Sequence, residues 1–112
     1  MNHLRPALLS LVLTAGLLCP ALAATPEENW ENHCTGCHGA DGKAQTRIGR
    51  KAGAKDLTDK ANQAKLKDEE IFKLIKFGRT TPKGEEKMEA FGDRIPDAEI
   101  TALIKFVRSF AK

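Results

Sequence analysis

The chain has 112 residues, 41% of them hydrophobic and 29% charged, and 18 Lys and Arg against 15 Asp and Glu give a formal net charge of +3. That length allows one domain with a thin core. One Trp, no Tyr and no aromatic residues interleaved among the bases argue against a nucleic-acid-binding surface.

The amino terminus reads as an export signal. Arg5 supplies positive charge ahead of an apolar run from Ala7 to Leu18, and Ala21-Leu22-Ala23 follows as a small-x-small cleavage site. A bilayer span takes about 20 apolar residues, and this run is twelve long. Residues 1–23 are therefore expected to be a cleaved signal peptide, leaving residues 24–112 as a single periplasmic domain without a membrane span.

Thr25-Pro26-Glu27-Glu28 predicts a helix start, with Thr25 as cap, Pro26 at the first helical position and Glu28 closing a capping box. Trp30, four residues before Cys34, reads as a core aromatic on that helix. At its far end stands Cys34-Thr35-Gly36-Cys37-His38, and Cys-x-x-Cys-His is the pattern of covalent haem attachment. Residues three and four apart share a face of a helical turn, so both thiols can reach the two vinyl groups of one porphyrin. His38 then falls under the iron as the proximal ligand.

Three other readings compete with haem attachment. A thioredoxin-like pair would sit beside a strand-helix-strand unit, and no convincing strand follows the motif. A structural zinc site draws four ligands from separated segments. Here His33, Cys34, Cys37 and His38, every Cys and His beyond the leader, lie within six consecutive residues. A plain disulfide between Cys34 and Cys37 would leave His38 unexplained.

From Gly39 to Leu57 the sequence is punctuated by glycine and rich in Lys and Arg, which predicts a loop. A short helical turn is expected after Thr58. Asp68-Glu69-Glu70 then opens a helix with Ile71, Phe72, Leu74 and Ile75 apolar and Gly78 as its stop. Arg79 to Ile95 reads as a loop holding Met88, the one methionine after the leader. An isolated Met is commonly a core filler. A haem, however, needs a distal donor, and His33 is too close in sequence to Cys34 to swing across the porphyrin, so Met88 is the remaining soft donor. Pro96-Asp97 marks the last helix, whose Ile100, Leu103, Ile104 and Val107 follow the i, i+3, i+4, i+7 rule with Phe106 and Phe110 flanking the stripe.

An amino-terminal helix ending in Cys-x-x-Cys-His, a loop, a helix, a methionine loop and a carboxy-terminal helix together resemble the small bacterial class I c-type cytochromes. The resemblance spans essentially the whole mature chain. Cys34, Cys37 and His38 match that family's haem-attachment motif, and Met88, with Phe91-Gly92-Asp93 after it, matches the distal-ligand loop. Trp30 and Phe106 resemble the aromatic positions where the first and last helices cross. The resemblance implies an all-α cytochrome c fold, three main helices plus a short helical turn wrapped around one covalent haem c, with His38 and Met88 as iron ligands. It also implies export, because such haem is attached outside the bacterial cytoplasm.

Two departures stand out. Many relatives follow the ligand Met with proline, whereas Glu89 follows Met88. Relatives often carry Gly-Pro-x-Leu where this chain has Ala54-Lys55-Asp56-Leu57, and a backbone carbonyl there accepts the proton of the ligand imidazole. Lys55 is the candidate for that carbonyl.

Past the leader, 12 Lys and 5 Arg oppose 6 Asp and 9 Glu, a net of +2 that two haem propionates would nearly cancel. Lys43, Arg47, Arg50, Lys51, Lys55, Lys60, Lys65 and Lys67 face only Asp41, Asp56 and Asp59 in the middle segment. Such a run is either a solvated face or a docking patch for an acidic redox partner. The function expected is that of a monomeric one-electron carrier, not an enzyme. The alternatives are a gas sensor or small peroxidase-like protein with a labile Met88 bond, and an electron-entry subunit of a larger oxidoreductase.

Overall fold

The computed structural model describes Ala15, Gly16 and residues 23–112. Apart from Ala15, Gly16 and Ala23, the predicted signal peptide lies outside the described residues. Among those described, no helix is long and apolar enough to cross a membrane.

The first helix, α1 (Pro26–His33), starts as its sequence dictates. Thr25 Oγ1 accepts the Glu28 N–H at 3.1 Å and the Glu28 carboxylate accepts the Thr25 N–H at 2.8 Å, which satisfies two of the free donors at the helix start. α1 stops at Cys34, and a single further turn, α2 (Thr35–His38), carries the rest of the motif. The all-α expectation holds, with six helices among the described residues.

One helix appears where a loop was expected. α3 (Arg47–Ala52) lies inside the glycine-punctuated segment, capped by Thr46, whose Oγ1 accepts the Gly49 N–H at 2.9 Å. Its sole large apolar residue, Ile48, is 60% exposed, so it has no apolar stripe to betray it. The turn after Thr58 is α4 (Lys60–Ala64), capped by Asp59. α5 (Asp68–Phe77) begins with the Glu70 carboxylate accepting the Lys67 N–H at 2.7 Å and ends at Gly78.

The methionine loop also departs from expectation. It contains a small antiparallel hairpin, β1 (Arg79–Thr80) and β2 (Glu86–Met88), pairing Arg79 with Met88 and Thr80 with Glu86 across an irregular register. Strands of two and three residues are too short to show the alternation by which a strand is recognised.

The last helix, α6 (Asp97–Ser109), buries Ile100, Leu103, Ile104 and Val107, the four residues of its predicted stripe. They join Trp30, Ile71, Ile75, Phe91 and Ile95 in one core cluster. α1 crosses α6 through Trp30, 5.8 Å from Phe106 and 4.8 Å from Phe110 between ring centroids, and through an Asn29 amide that donates to Glu99 at 3.0 Å. α5 meets the start of α6 through a Lys76–Asp97 ion pair at 3.0 Å.

Gly78 places the hairpin against α5. Its φ of 71° and ψ of −170° lie in a region that in practice only glycine enters, and a Cβ there would strike the Met88 carbonyl and the Ala90 nitrogen. Gly78→Ala should therefore destabilise the folded protein by about 1–3 kcal/mol, seen as a lower denaturant midpoint with an unchanged slope. An unchanged midpoint would contradict the steric argument.

Candidate cofactor site

The Cys-x-x-Cys-His motif is fixed by backbone on one side and by α3 on the other. Cys34 caps α1 with its N–H donating to the Trp30 carbonyl at 2.9 Å, and the His38 N–H donates to the Cys34 carbonyl at 2.9 Å. Thr46 Oγ1 donates to the Cys37 carbonyl at 2.9 Å, and Gly49 lies so close to that same carbonyl that a Cβ could not be accommodated. The Ala44 N–H donates to the His38 carbonyl at 2.9 Å. The helix missing from the sequence reading is thus the buttress of the motif.

His38 and Cys34 border an apolar cleft, partly open to solvent, whose other walls include Trp30, Leu57, Leu74, Ile75 and Leu103. Met88 borders the same cleft, although 50 residues separate it from His38 in sequence. Cys37 sits half-buried one helical turn from Cys34 and does not line the cleft. A second groove of about 910 Å³ runs outside α1 and α6, between Pro26 and Ser109, and holds none of the candidate residues. The cleft, with apolar walls and a few polar groups converging on it, is the candidate ligand site.

Chemistry within the cleft is set by burial. Desolvation, reinforced by nearby Cys37, pushes the Cys34 thiol up to about 12, so it is a neutral S–H at physiological pH. Both cysteines are free, not joined in a disulfide. Burial also lowers the pKa of His38, keeping its imidazole neutral with a lone pair to donate. The ring lies 5.6 Å from Trp30, tilted 35°. Its Nδ1 is buried without a hydrogen-bond partner, as is Trp30 Nε1.

The Lys55 carbonyl therefore does not receive the His38 proton. The segment carrying it is tied elsewhere, with the Ala54 N–H on the Gly49 carbonyl at 2.9 Å and the Leu57 N–H on the Gly42 carbonyl at 2.8 Å. A buried, unpaired ring nitrogen costs about 1–3 kcal/mol. An orphaned imidazole, the Cys34 thiol and a thioether around an apolar cleft, with the Cys37 thiol one helical turn away, fit a flat macrocycle with a metal at its centre.

Two residues of this region carry no sequence signal. Gln63, 7% exposed, borders the cleft. Its Nε2 donates to the Leu57 and Val107 carbonyls, each at 2.8 Å. Arg108 donates in turn to Gln63 Oε1 at 3.1 Å, to the Leu66 carbonyl at 2.7 Å and to Asp68 at 3.0 Å. A lone Gln among lysines and an Arg on the polar side of α6 follow no periodicity, and only the fold brings them together.

These features define a c-type cytochrome, a protein that transfers electrons through covalently bound haem c and its iron. More particularly, the chain belongs to the family described as cytochrome c oxidase, cbb3-type, subunit III, whose model matches residues 21–107. Among solved structures it resembles the KustC0563 c-type cytochrome at 36% identity and a TM-score of 0.70, over 80% of this chain and 100% of that one. It likewise resembles a mutant of Kustc0563 in which tyrosine is replaced by phenylalanine, at 36% identity and a TM-score of 0.67, over 78% of this chain and 99% of the other. A comparison with curated proteins finds no match.

Replacing Cys34 and Cys37 together by Ala should yield haem that acid solvent extracts, and a chain that is largely disordered by circular dichroism, because the cleft occupies the middle of a thin core. Retained colour after extraction, or native-like helix content without haem, would count against this.

Proposed function

We propose that the mature chain, residues 24–112, is an exported, periplasmic one-electron carrier in which Cys34 and Cys37 hold the haem and His38 and Met88 ligate its iron. The observation that carries this reading is that Met88 and His38, far apart in sequence, border one apolar cleft together with Cys34. When bound, haem c supplies an iron that alternates between ferric and ferrous. The neutral His38 imidazole would offer it a nitrogen, and the Met88 thioether would offer a soft sulfur that favours the ferrous state and a high potential. Trp30, Leu57 and Leu103 exclude water from the site, and ligands that stay in place in both oxidation states keep the structural change small.

The test is Met88→Ala. The unmutated ferric protein should show the weak near-red absorption band of iron-sulfur ligation, and the variant should lose it, fall in potential and admit carbon monoxide when reduced. A spectrum unchanged by the substitution would make Met88 a packing residue and leave the gas-sensor or peroxidase-like alternative in its place.

A second reading is favoured by the family description, which names an oxidase subunit. In that reading the chain is the electron-entry part of a larger oxidoreductase. Phe77 and Ile48, 68% and 60% exposed, would then be covered by neighbouring chains. Sedimentation of the isolated mature protein separates the two, a monomer being expected for the free carrier.

The basic segment gives a further expectation. Lys43, Arg47, Arg50, Lys51, Lys55, Lys60, Lys65 and Lys67 are all exposed, and none forms an ion pair among the described residues. If they steer an acidic partner, added salt should slow electron transfer, and reversing Lys51 and Lys55 to Glu should slow it further with the potential nearly unchanged. Rates indifferent to both changes would leave the segment a solvated face.

A further inference from the structure

The segment after Met88 has no proline to stiffen it, yet every side-chain contact of one residue falls within it. Arg94 Nη2 donates to the Ala90 carbonyl at 3.0 Å and lies 3.3 Å from the Glu89 carboxylate, while its Nε lies 3.5 Å from Asp93. The guanidinium stands 4.6 Å from the centre of the Phe91 ring. Phe91 is 4% exposed and its N–H donates to the Ile75 carbonyl of α5 at 2.9 Å. Phe91 also lies near His33, ring centroids 5.7 Å apart, the residue immediately before Cys34.

We propose that Arg94 is a positioning residue that sets how firmly Met88 is held against the cofactor. Arg94 and Phe91 together close the turn that follows Met88, and Phe91 joins that turn both to the end of α5 and to the haem-attachment helix. The ion pairs contribute little, because Glu89 and Asp93 are 53% and 81% exposed. The cation over the aromatic face and the hydrogen bond to the Ala90 carbonyl contribute most, since both act on backbone or on a buried ring. This inference rests on Met88 being an iron ligand.

The experiment compares four holoprotein variants by the near-red band, by circular dichroism on heating and by titration of the ferric form with imidazole, which competes with the sulfur. Arg94→Ala should strengthen imidazole binding about tenfold, and on heating it should lose the band well before helix content. Arg94→Lys, which keeps a cation near Phe91, should recover part of the loss. Glu89→Gln should alter imidazole affinity less than about twofold, as expected for an exposed pair. The proposal is overturned if Arg94→Ala leaves imidazole affinity within about twofold of the parent, or if band and helix content are lost together at a lower temperature, which is what a purely structural role would give. Met88→Ala is the fourth variant. A parent without the band, or a band that survives Met88→Ala, would instead bring down the ligation reading and this inference with it.

Discussion

The structure depends on one indole. Trp30 touches Phe106 and Phe110 of α6 and the ring of His38, so a single side chain fixes both the crossing of the first and last helices and the attitude of the motif's imidazole. An eight-residue helix such as α1 is not stable alone in water and is held by what it packs against. Its main anchor, Trp30, is also a wall of the cleft. Helix packing and cofactor binding are therefore one event here, since Ile71, Ile75, Leu103 and Val107 face the cleft from α5 and α6 as well as belonging to the core. Apolar area around a haem adds about 25 cal/mol per Å² removed from water, and a chain this short has few other places to find it.

Much of that frame was legible because it is written in local rules. The Thr25 capping box, the acidic start and glycine stop of α5 and the apolar stripe of α6 each name their element without tertiary information. The attachment motif is legible for a different reason, since covalent chemistry fixes its spacing. Illegible parts are those whose cause is non-local. α3 exists because Thr46 and Gly49 dock on the Cys37 carbonyl, a contact that leaves no pattern in the six residues themselves. Gln63 and Arg108 form a polar network across 45 positions of sequence, and the hairpin that carries Met88 is set by the tight approach of Gly78. The Lys55 carbonyl was the expectation drawn from relatives that failed, at a site where this chain lacks their proline.

The two sides of the cleft are held by different means. On the side of Cys34 and His38 the chain is helical, braced by α3, and tethered through backbone hydrogen bonds that no side-chain change removes. Opposite in the sequence order, Met88 ends a three-residue strand, and the backbone that follows is stitched to the last turn of α5 by the Phe91 and Gly92 N–H groups, at 2.9 and 3.1 Å to the carbonyls of Ile75 and Lys76. Glu86, Lys87 and Met88 are exposed or half-buried in a two-stranded hairpin, so the strand itself opens at lower free energy than the helices around it, while Phe91 after it is buried. With Met88 as the proposed ligand, variation in ligand strength is accordingly expected to come from the methionine loop and not from the attachment motif.

Charge is arranged on the same economy. Two ion pairs among the described residues join separate elements, Lys76 with Asp97 and Arg108 with Asp68, both between α5 and α6, while those of Lys87 and Arg94 are local. Both are partly exposed and worth at most about 1 kcal/mol each. The eight bases between Lys43 and Lys67 form no ion pair among the described residues and lie in solvent. Fixing a long side chain in a surface pair costs rotamer freedom for little return, so leaving these bases unpaired costs the fold nothing. With the net charge of +2 on residues 24–112 nearly cancelled by two propionates, no attraction for a partner survives in the total. What survives is the asymmetry, a positive middle segment on a nearly neutral molecule, and an asymmetric field orients an approaching partner where a uniform one merely attracts it.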